Sequence, residues 1–340
     1  MPTVDNKVQL IVTGASGFLG SAIMHQAKVA GLRVKGIGRR QQVPDIFADD
    51  YCQVDILRQD ELQSAMQGAD YVIHAAGLAH LPYQHACINQ LQQINVFGTQ
   101  NVARTAIEVG IKHLVLVSSV SVYGSHSPMA CDETIKCNPI GAYAQSKVQA
   151  EESAMAITSG TGTALSILRM ATLYGEGDPG NIARLIHMID RGRFIWLGSG
   201  GNRKSLIYKE DAARACLTVL DRFDSNIRIY NVTAEPYLVR DVVTQIYYAL
   251  NRRPPVFTIP TCVILKVIKI MNKHAKASVR LQPLNQLVNK WLADDVYDAS
   301  RFKREFNFQA RVSLAEGLRR EVIWYKTIAD EVSCNLKRYW

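Results

Sequence analysis

The sequence predicts an α/β fold, a doubly wound parallel sheet followed by a second, smaller, mostly helical domain. Three observations predict it. Over the first half of the 340 residues, short apolar runs alternate with helical stretches, the pattern of strands buried on both faces and joined by crossover helices. A glycine-rich turn, Thr13-Gly14-Ala-Ser-Gly17-Phe-Leu-Gly20, sits between the first strand and the first helix. Beyond Arg169 the alternation gives way to loop signals at Gly175–Gly180, Gly198–Asn202 and Pro254-Pro255.

The elements follow in order. Val8–Thr13 reads as a buried strand, and the helix after the glycine turn runs to about Ala30. Arg33–Gly38 and Tyr51–Val54 are the second and third strands, Tyr71–His74 the fourth, and a long helical pattern then runs to about Val109. His113–Ser118 is a fifth strand, 141–157 a helix, and Ala164–Arg169 a sixth strand. Right-handed crossovers wind these strands into a doubly wound sheet. Ile227–Tyr230 reads as one more strand, so 1–168 and 206–232 are expected to form the first domain, and 169–205 with 233–340 the second.

Apolar residues make up 48% and charged residues 20%, the composition of a packed globular chain rather than a disordered one. No apolar stretch approaches the roughly 20 residues of a membrane span, and the N-terminus shows no signal-peptide apolar core. A cytoplasmic protein is expected. The seven cysteines (52, 87, 131, 137, 216, 262, 334) form no C-x-x-C pair, so neither a disulfide framework nor a metal site is predicted. The net charge of +9 resides in residues 251–340, which hold 17 Lys/Arg against 8 Asp/Glu. No aromatic-studded basic groove accompanies it, so nucleic acid is not expected as a partner. From Thr261 to Lys276, Lys266, Lys269, Lys273 and Lys276 fall at spacings of 3, 4 and 3 on one helical face. That face reads either as the solvated side of a domain helix or as a loose peripheral contact with an anionic membrane surface.

The glycine turn is where a dinucleotide needs its phosphate loop. Gly14 permits the turn, Gly17 lets the backbone N–H groups of Ser16, Phe18 and Leu19 approach a pyrophosphate, and Gly20 lets the helix pack close to the sheet. At the end of the second strand, Gly38-Arg39-Arg40 offers guanidinium groups where an acidic residue would bind the adenosine ribose. Two arginines favour NADP(H), whose 2′-phosphate they can clamp; NAD(H) remains open because arginine also stacks on adenine. Tyr143 and Lys147 lie four apart on one helical face. An ammonium near a phenol lowers its pKa and suits it to proton exchange with an alcohol or ketone. Ser118, Ser119 and Ser121 lie at the carboxyl end of the fifth strand, where ligands of parallel sheets bind.

Together these motifs resemble the extended short-chain dehydrogenases/reductases, the Rossmann-like nucleotide-sugar epimerase, dehydratase and reductase family, over nearly the whole chain. The resemblance extends to Val54-Asp55-Ile56-Leu57, His74-Ala75-Ala76-Gly77, Asn95-Val-Phe-Gly-Thr99 and Leu168–Gly175. It implies Tyr143 as acid/base, Lys147 as the nicotinamide-ribose ligand that depresses the phenol, and Ser119 as holder of the reacting oxygen, with Ser121 as fallback. It further implies cofactor contacts from Asp55, Ile56, Ala75, Ala76, Gly77, Asn95 and Ser118. Substrate contacts are implied for Thr172, Asn181, Arg203 and Lys204. Two positions depart from the family pattern: Met170 replaces the usual proline, and Lys204 stands at the diphosphate arginine position. The resemblance implies a nucleotide-sugar substrate, a homodimer, and reduction of a 4-keto sugar as the leading activity, with 4-epimerisation on a retained NAD as the alternative. A dehydratase would carry an acidic pair where Val120 and Ser121 stand, and a non-catalytic NADP-sensing relative would lack the tyrosine or lysine.

Overall fold

The computed structural model of the protein describes residues 9–41, 51–79, 85–124, 130–221, 226–263, 266 and 288–331. Seven strands form one sheet: β1 (Leu10–Thr13), β2 (Val34–Gly38), β3 (Tyr51–Gln53), β4 (Tyr71–His74), β5 (His113–Ser119), β6 (Ala164–Met170) and β10 (Ile227–Val232). Their order is β3-β2-β1-β4-β5-β6-β10, and every pairing is parallel. The strand order reverses between β1 and β4, the switch point where doubly wound sheets open a crevice at their carboxyl edge.

The period of two along each strand divides the apolar residues between two cores. Leu10, Val12 and Val115 pack with α1 (Phe18–Val29) and α7 (Lys209–Thr218) on one face. Ile11, Leu114 and Leu116 pack with α2 (Gln59–Met66), α4 (Gly98–Glu108) and α5 (Ala142–Thr158) on the other. Strands covered on both sides by helices have no polar face, which is why β1 and β6 are buried along their full length.

A third core lies beside the sheet. It joins α6 (Asn181–Asp190), α8 (Val239–Ala249) and α10 (Leu314–Glu331) through Ile186, Ile189, Val243, Ile246, Leu318 and Val322. Two small ribbons connect the cores: β7 (Thr172–Tyr174) with β9 (Leu206–Tyr208), and β8 (Arg203–Lys204) with β11 (Tyr237–Leu238). Along β9 the alternation continues, Ile207 entering the first core while Leu206 and Tyr208 enter the third.

Two elements differ from the sequence reading. The stretch expected as one helix to Val109 is α3 (His85–Leu91), a π-helical turn Gln92–Phe97, and α4. The C-terminal helix α9 (Ser300–Phe306), expected in the second domain, packs on the sheet instead: Phe302 and Phe306 stack edge-on against Tyr230 of β10 at 5.6 and 5.4 Å. Tyr230 at the sheet's last strand would otherwise be uncovered, and aromatic edges supply that cover. The lysine face from Lys266 to Lys276 lies outside the described residues apart from Lys266 itself, which is exposed and helical. Among the described residues no helix is long and apolar enough to cross a membrane.

Candidate active site

The turn after β1 leaves its backbone bare. Gly14 has φ +69°, and a Cβ there would stand 2.7 Å from the Ala76 backbone. A Cβ on Gly20 would stand 2.0 Å from the Gly14 carbonyl oxygen. Both positions therefore require glycine. Gly17 caps α1 with no side-chain hydrogen bond, and the first turn holds no acidic residue. An uncapped helix N-terminus with its positive dipole end exposed fits the pyrophosphate of a dinucleotide. Ser16, Gly17 and Phe18 retain solvent access, whereas Leu19 is buried.

Arg39 and Arg40 follow β2 and are exposed. Arg39 shares a cleft of about 410 Å³ with Gln53, Asp55, Arg58 and Glu61. It also lines an adjoining cleft of about 370 Å³ with Leu57, Leu78, Gln93 and Ile94. Asp55 accepts from the Leu57 N–H at 3.1 Å, and Ile56 is buried against Gly98.

The Ala75-Ala76-Gly77 loop is fixed by a buried polar chain. The Thr13 hydroxyl contacts His74 Nδ1 at 2.7 Å, and His74 Nε2 contacts the Thr99 hydroxyl at 3.0 Å. Thr99 donates its proton to the Asn95 carbonyl at 2.6 Å, so it accepts from His74 Nε2–H. Burial, with the Lys147 ammonium as a lesser cause, pushes the His74 pKa down to about 3. Asn95 sits on the π-helical turn. Its carbonyl accepts from the Leu78 N–H (2.8 Å), and its amide donates to the Leu78 carbonyl (3.0 Å) and to Ser146 Oγ (2.9 Å). Asn95, expected as a cofactor ligand, uses both ends of its side chain to hold the loop to helix α5.

Strand β5 ends in the serines. Alternation sends neighbouring side chains to opposite sides. Ser118 Oγ, expected at the cofactor, instead donates to buried Glu151 at 2.5 Å. Ser119 points the other way, accepting from the Ser121 N–H at 3.2 Å and hydrogen-bonding the Tyr143 hydroxyl. Ser121 Oγ is buried with no partner among the described residues. The Lys147 ammonium donates to the Val117 carbonyl at 2.7 Å, and a Cβ on Gly77 would lie 3.9 Å from it. Burial lowers the Lys147 pKa to about 8, against an opposing pull from Glu151. The Tyr143 phenol was expected to be depressed by Lys147. Here burial raises it, and the Ser119 hydrogen bond is the opposing force, because the ammonium is turned to the strand carbonyl.

Sequence reasoning missed the network beneath. Glu151, one turn beyond Lys147, pairs with buried Arg169 at 2.7 Å. Arg169 also donates to the Tyr123 hydroxyl (3.0 Å), which donates to Asn231 of β10 (2.7 Å). The available signal was the spacing Tyr143–Lys147–Glu151, three polar residues at i, i+4 and i+8 on a helix that must bury that face.

The substrate-side residues are less concentrated. Thr172 opens β7, half-buried. Asn181 is exposed at the start of α6, whose N-terminus Asp178 caps through the Gly180 and Ala183 N–H groups. Arg203 is exposed, while the Lys204 ammonium donates to the Lys290 carbonyl at 2.7 Å. The Gly175–Gly180 loop lies over the glycine turn, a Cβ on Gly177 falling 3.7 Å from Phe18.

A parallel doubly wound sheet with an uncapped glycine turn at β1 and a serine, tyrosine and lysine beyond β5 defines a dinucleotide-dependent oxidoreductase or isomerase. The model of the NAD dependent epimerase/dehydratase family matches residues 10–233. The chain belongs to that family, of the extended short-chain dehydrogenase/reductase type, and is an enzyme. It is 28% identical to N-acetyl-alpha-D-glucosaminyl-diphospho-ditrans,octacis-undecaprenol 4-epimerase of Escherichia coli O157:H7, covering 92% of this chain and 93% of that one. The fold matches UDP-glucose 4-epimerase of Thermotoga maritima with UDP-glucose (TM-score 0.73, 20% identity, 94% and 99% of the two chains). It also matches UDP-glucuronic acid 4-epimerase of Bacillus cereus in complex with NAD (TM-score 0.73, 19% identity, 94% and 99%).

Proposed function

We propose that the enzyme reduces a 4-keto nucleotide sugar with NADP(H). The observation that carries the chemistry is the convergence of Ser119, Tyr143 and Lys147 at the end of β5, with the unpartnered Ser121 hydroxyl beside them. The choice of cofactor rests on Arg39 and Arg40 standing where an acidic residue would bind a ribose. The bare backbone of the glycine turn and the uncapped start of α1 fit the pyrophosphate.

The nicotinamide, when bound, supplies hydride at the sugar carbon. Ser119 hydrogen-bonds the reacting oxygen and orients it toward Tyr143. The Tyr143 hydroxyl gives its proton to that oxygen as negative charge develops there. Lys147, released from the Val117 carbonyl, holds the ribose and stabilises the phenolate left behind. Asn95 and the His74 chain keep the Ala75–Gly77 loop and helix α5 at a fixed separation. We assign the sugar and its diphosphate to the side built from α6, β8 and their neighbours, with Thr172, Asn181, Arg203 and Lys204 as contacts.

The Escherichia coli relative favours a second reading, 4-epimerisation on a retained NAD; in that relative the sugar diphosphate is joined to undecaprenol rather than to a nucleotide. Denaturing the purified protein and identifying the released nucleotide separates the two. An empty site that binds NADPH and oxidises it with a 4-keto sugar supports reduction. Stoichiometric NAD, with interconversion of 4-epimers and no consumption of added cofactor, replaces it with epimerisation.

A further inference from the structure

We propose that the apolar tip Val256–Phe257 with Ile195, rimmed by Arg191, Arg193 and Arg253, docks on an anionic lipid bilayer. Three observations converge on it. Phe257 is 92% exposed, Val256 90% and Ile195 61%. Single exposed apolar side chains are ordinary on a protein surface, but a contiguous group of large ones marks an interaction site.

These residues are neighbours in space. Ile259 donates to the Trp196 carbonyl and accepts from the Gly198 N–H, both at 2.9 Å, so 257–260 runs alongside 195–198. The Arg252 guanidinium donates to the Ile189 carbonyl (3.2 Å) and to Asp190 (3.0 Å), which holds the Arg252–Arg253 turn against the end of α6. Arg193 is tied to the same helix end through the Met188 carbonyl.

The charge is one-sided. Residues 191–202 and 248–263 contain four arginines and no aspartate or glutamate. Asp190, which adjoins Arg191 in the chain, is already engaged by Arg252 and by the Tyr325 hydroxyl. An aromatic and aliphatic tip inside a basic rim is the surface that partitions into the interface of anionic lipid, the apolar side chains entering the acyl boundary and the arginines meeting phosphates. The segment 194–202 that carries Ile195 leads directly into Arg203 and Lys204. The docking itself does not depend on the proposed function.

Vesicle flotation tests it with the full chain, comparing phosphatidylglycerol-containing vesicles with pure phosphatidylcholine at low and high salt. The protein is expected to float with the anionic vesicles at low salt and to be released by high salt. The Val256→Ser/Phe257→Ser double variant should lose about tenfold or more in vesicle partitioning. Arg193→Ser/Arg253→Ser should lose a comparable factor on anionic vesicles alone. All four side chains are exposed, so the fold does not depend on them. Wild-type protein that stays unbound at low salt overturns the proposal, as does a serine double variant that floats like wild type. Light scattering without vesicles gives a further check. If the double variant lowers the molecular mass in solution and leaves flotation unchanged, the tip is a contact between copies of the chain.

Discussion

At the glycine turn a Cβ on Gly20 would fall 2.0 Å from a backbone oxygen, whereas Arg203, on a two-residue strand, stands exposed. The same contrast separates the two sides of the cleft. On the cofactor side, backbone approaches backbone, and Asn95, His74, Ser118 and Glu151 all have their polar atoms engaged within the protein. On the substrate side, short ribbons join two cores, and Asn181 and Arg203 are left to solvent. The difference teaches where invariance is physically required. A dinucleotide presents the same pyrophosphate every time and can be met by a rigid backbone, while a variable sugar is met by side chains on elements that can change without disturbing a core.

The largest effect should come from the residue that joins the two sides. Tyr143→Phe should lower kcat by roughly 10²–10⁴ while cofactor affinity stays near wild type, measured by turnover and by cofactor titration. A phenylalanine variant with full turnover would move the proton transfer elsewhere. Next, Arg39→Ser with Arg40→Ser should weaken NADP(H) by about 1.5–3 kcal/mol and NAD(H) far less, read from the two dissociation constants. Equal losses would make the arginines stacking partners only.

Gly20→Ala tests the rigid side by stability rather than affinity. Forcing a methyl group against the Gly14 carbonyl should cost about 1–3 kcal/mol in denaturant unfolding. On the opposite side, Arg203→Ala should leave stability unchanged and raise KM by about tenfold or less with kcat nearly constant, since the residue is exposed. A stability loss there as large as that of Gly20→Ala would erase the contrast.

The smallest effect near neutrality is the pH dependence of the brace. The His74 pKa falls from its ordinary value near 6.5 to about 3 in the fold. Between those values the unfolded chain binds more protons, so stability rises with pH across this window and falls as the solution is acidified below about 6.5. A His74→Gln variant should show a flatter dependence of Tm on pH between about 4 and 6.5 than wild type does. An unchanged slope would place the acid sensitivity in other groups.

Much of this was legible in the chain. Short apolar runs such as Leu10-Ile-Val-Thr13 and Ala164–Met170 between turn and helix signals read as strands covered on both faces, and the glycine spacing after the first of them marks the phosphate turn. Tyr143 and Lys147 are brought to one face by helical periodicity alone. The direction of a serine on a strand is also periodic, but which face holds the cofactor is not, and so Ser118 read as a ligand although it serves Glu151. The bonds that Asn95 makes to the Leu78 backbone and Ser146 were hidden for a related reason: it lies on a π-helical turn, which rotates side chains away from the α-helical register, and nothing in Gln92–Phe97 announces it.

The sequence by itself determined the strand and helix order, the glycine turn and the spacing of Tyr143, Lys147 and Glu151, because these follow from local conformational preference and short-range periodicity. Only the tertiary structure decided the rest. It placed α9 on the sheet's last strand, and tied Arg169 to Glu151, Tyr123 and Asn231. It raised the Tyr143 phenol through burial and turned Lys147 to the Val117 carbonyl. Each of these joins residues distant in the chain, and burial, charge pairing and desolvation depend on what the whole fold brings within a few ångströms rather than on neighbours in sequence.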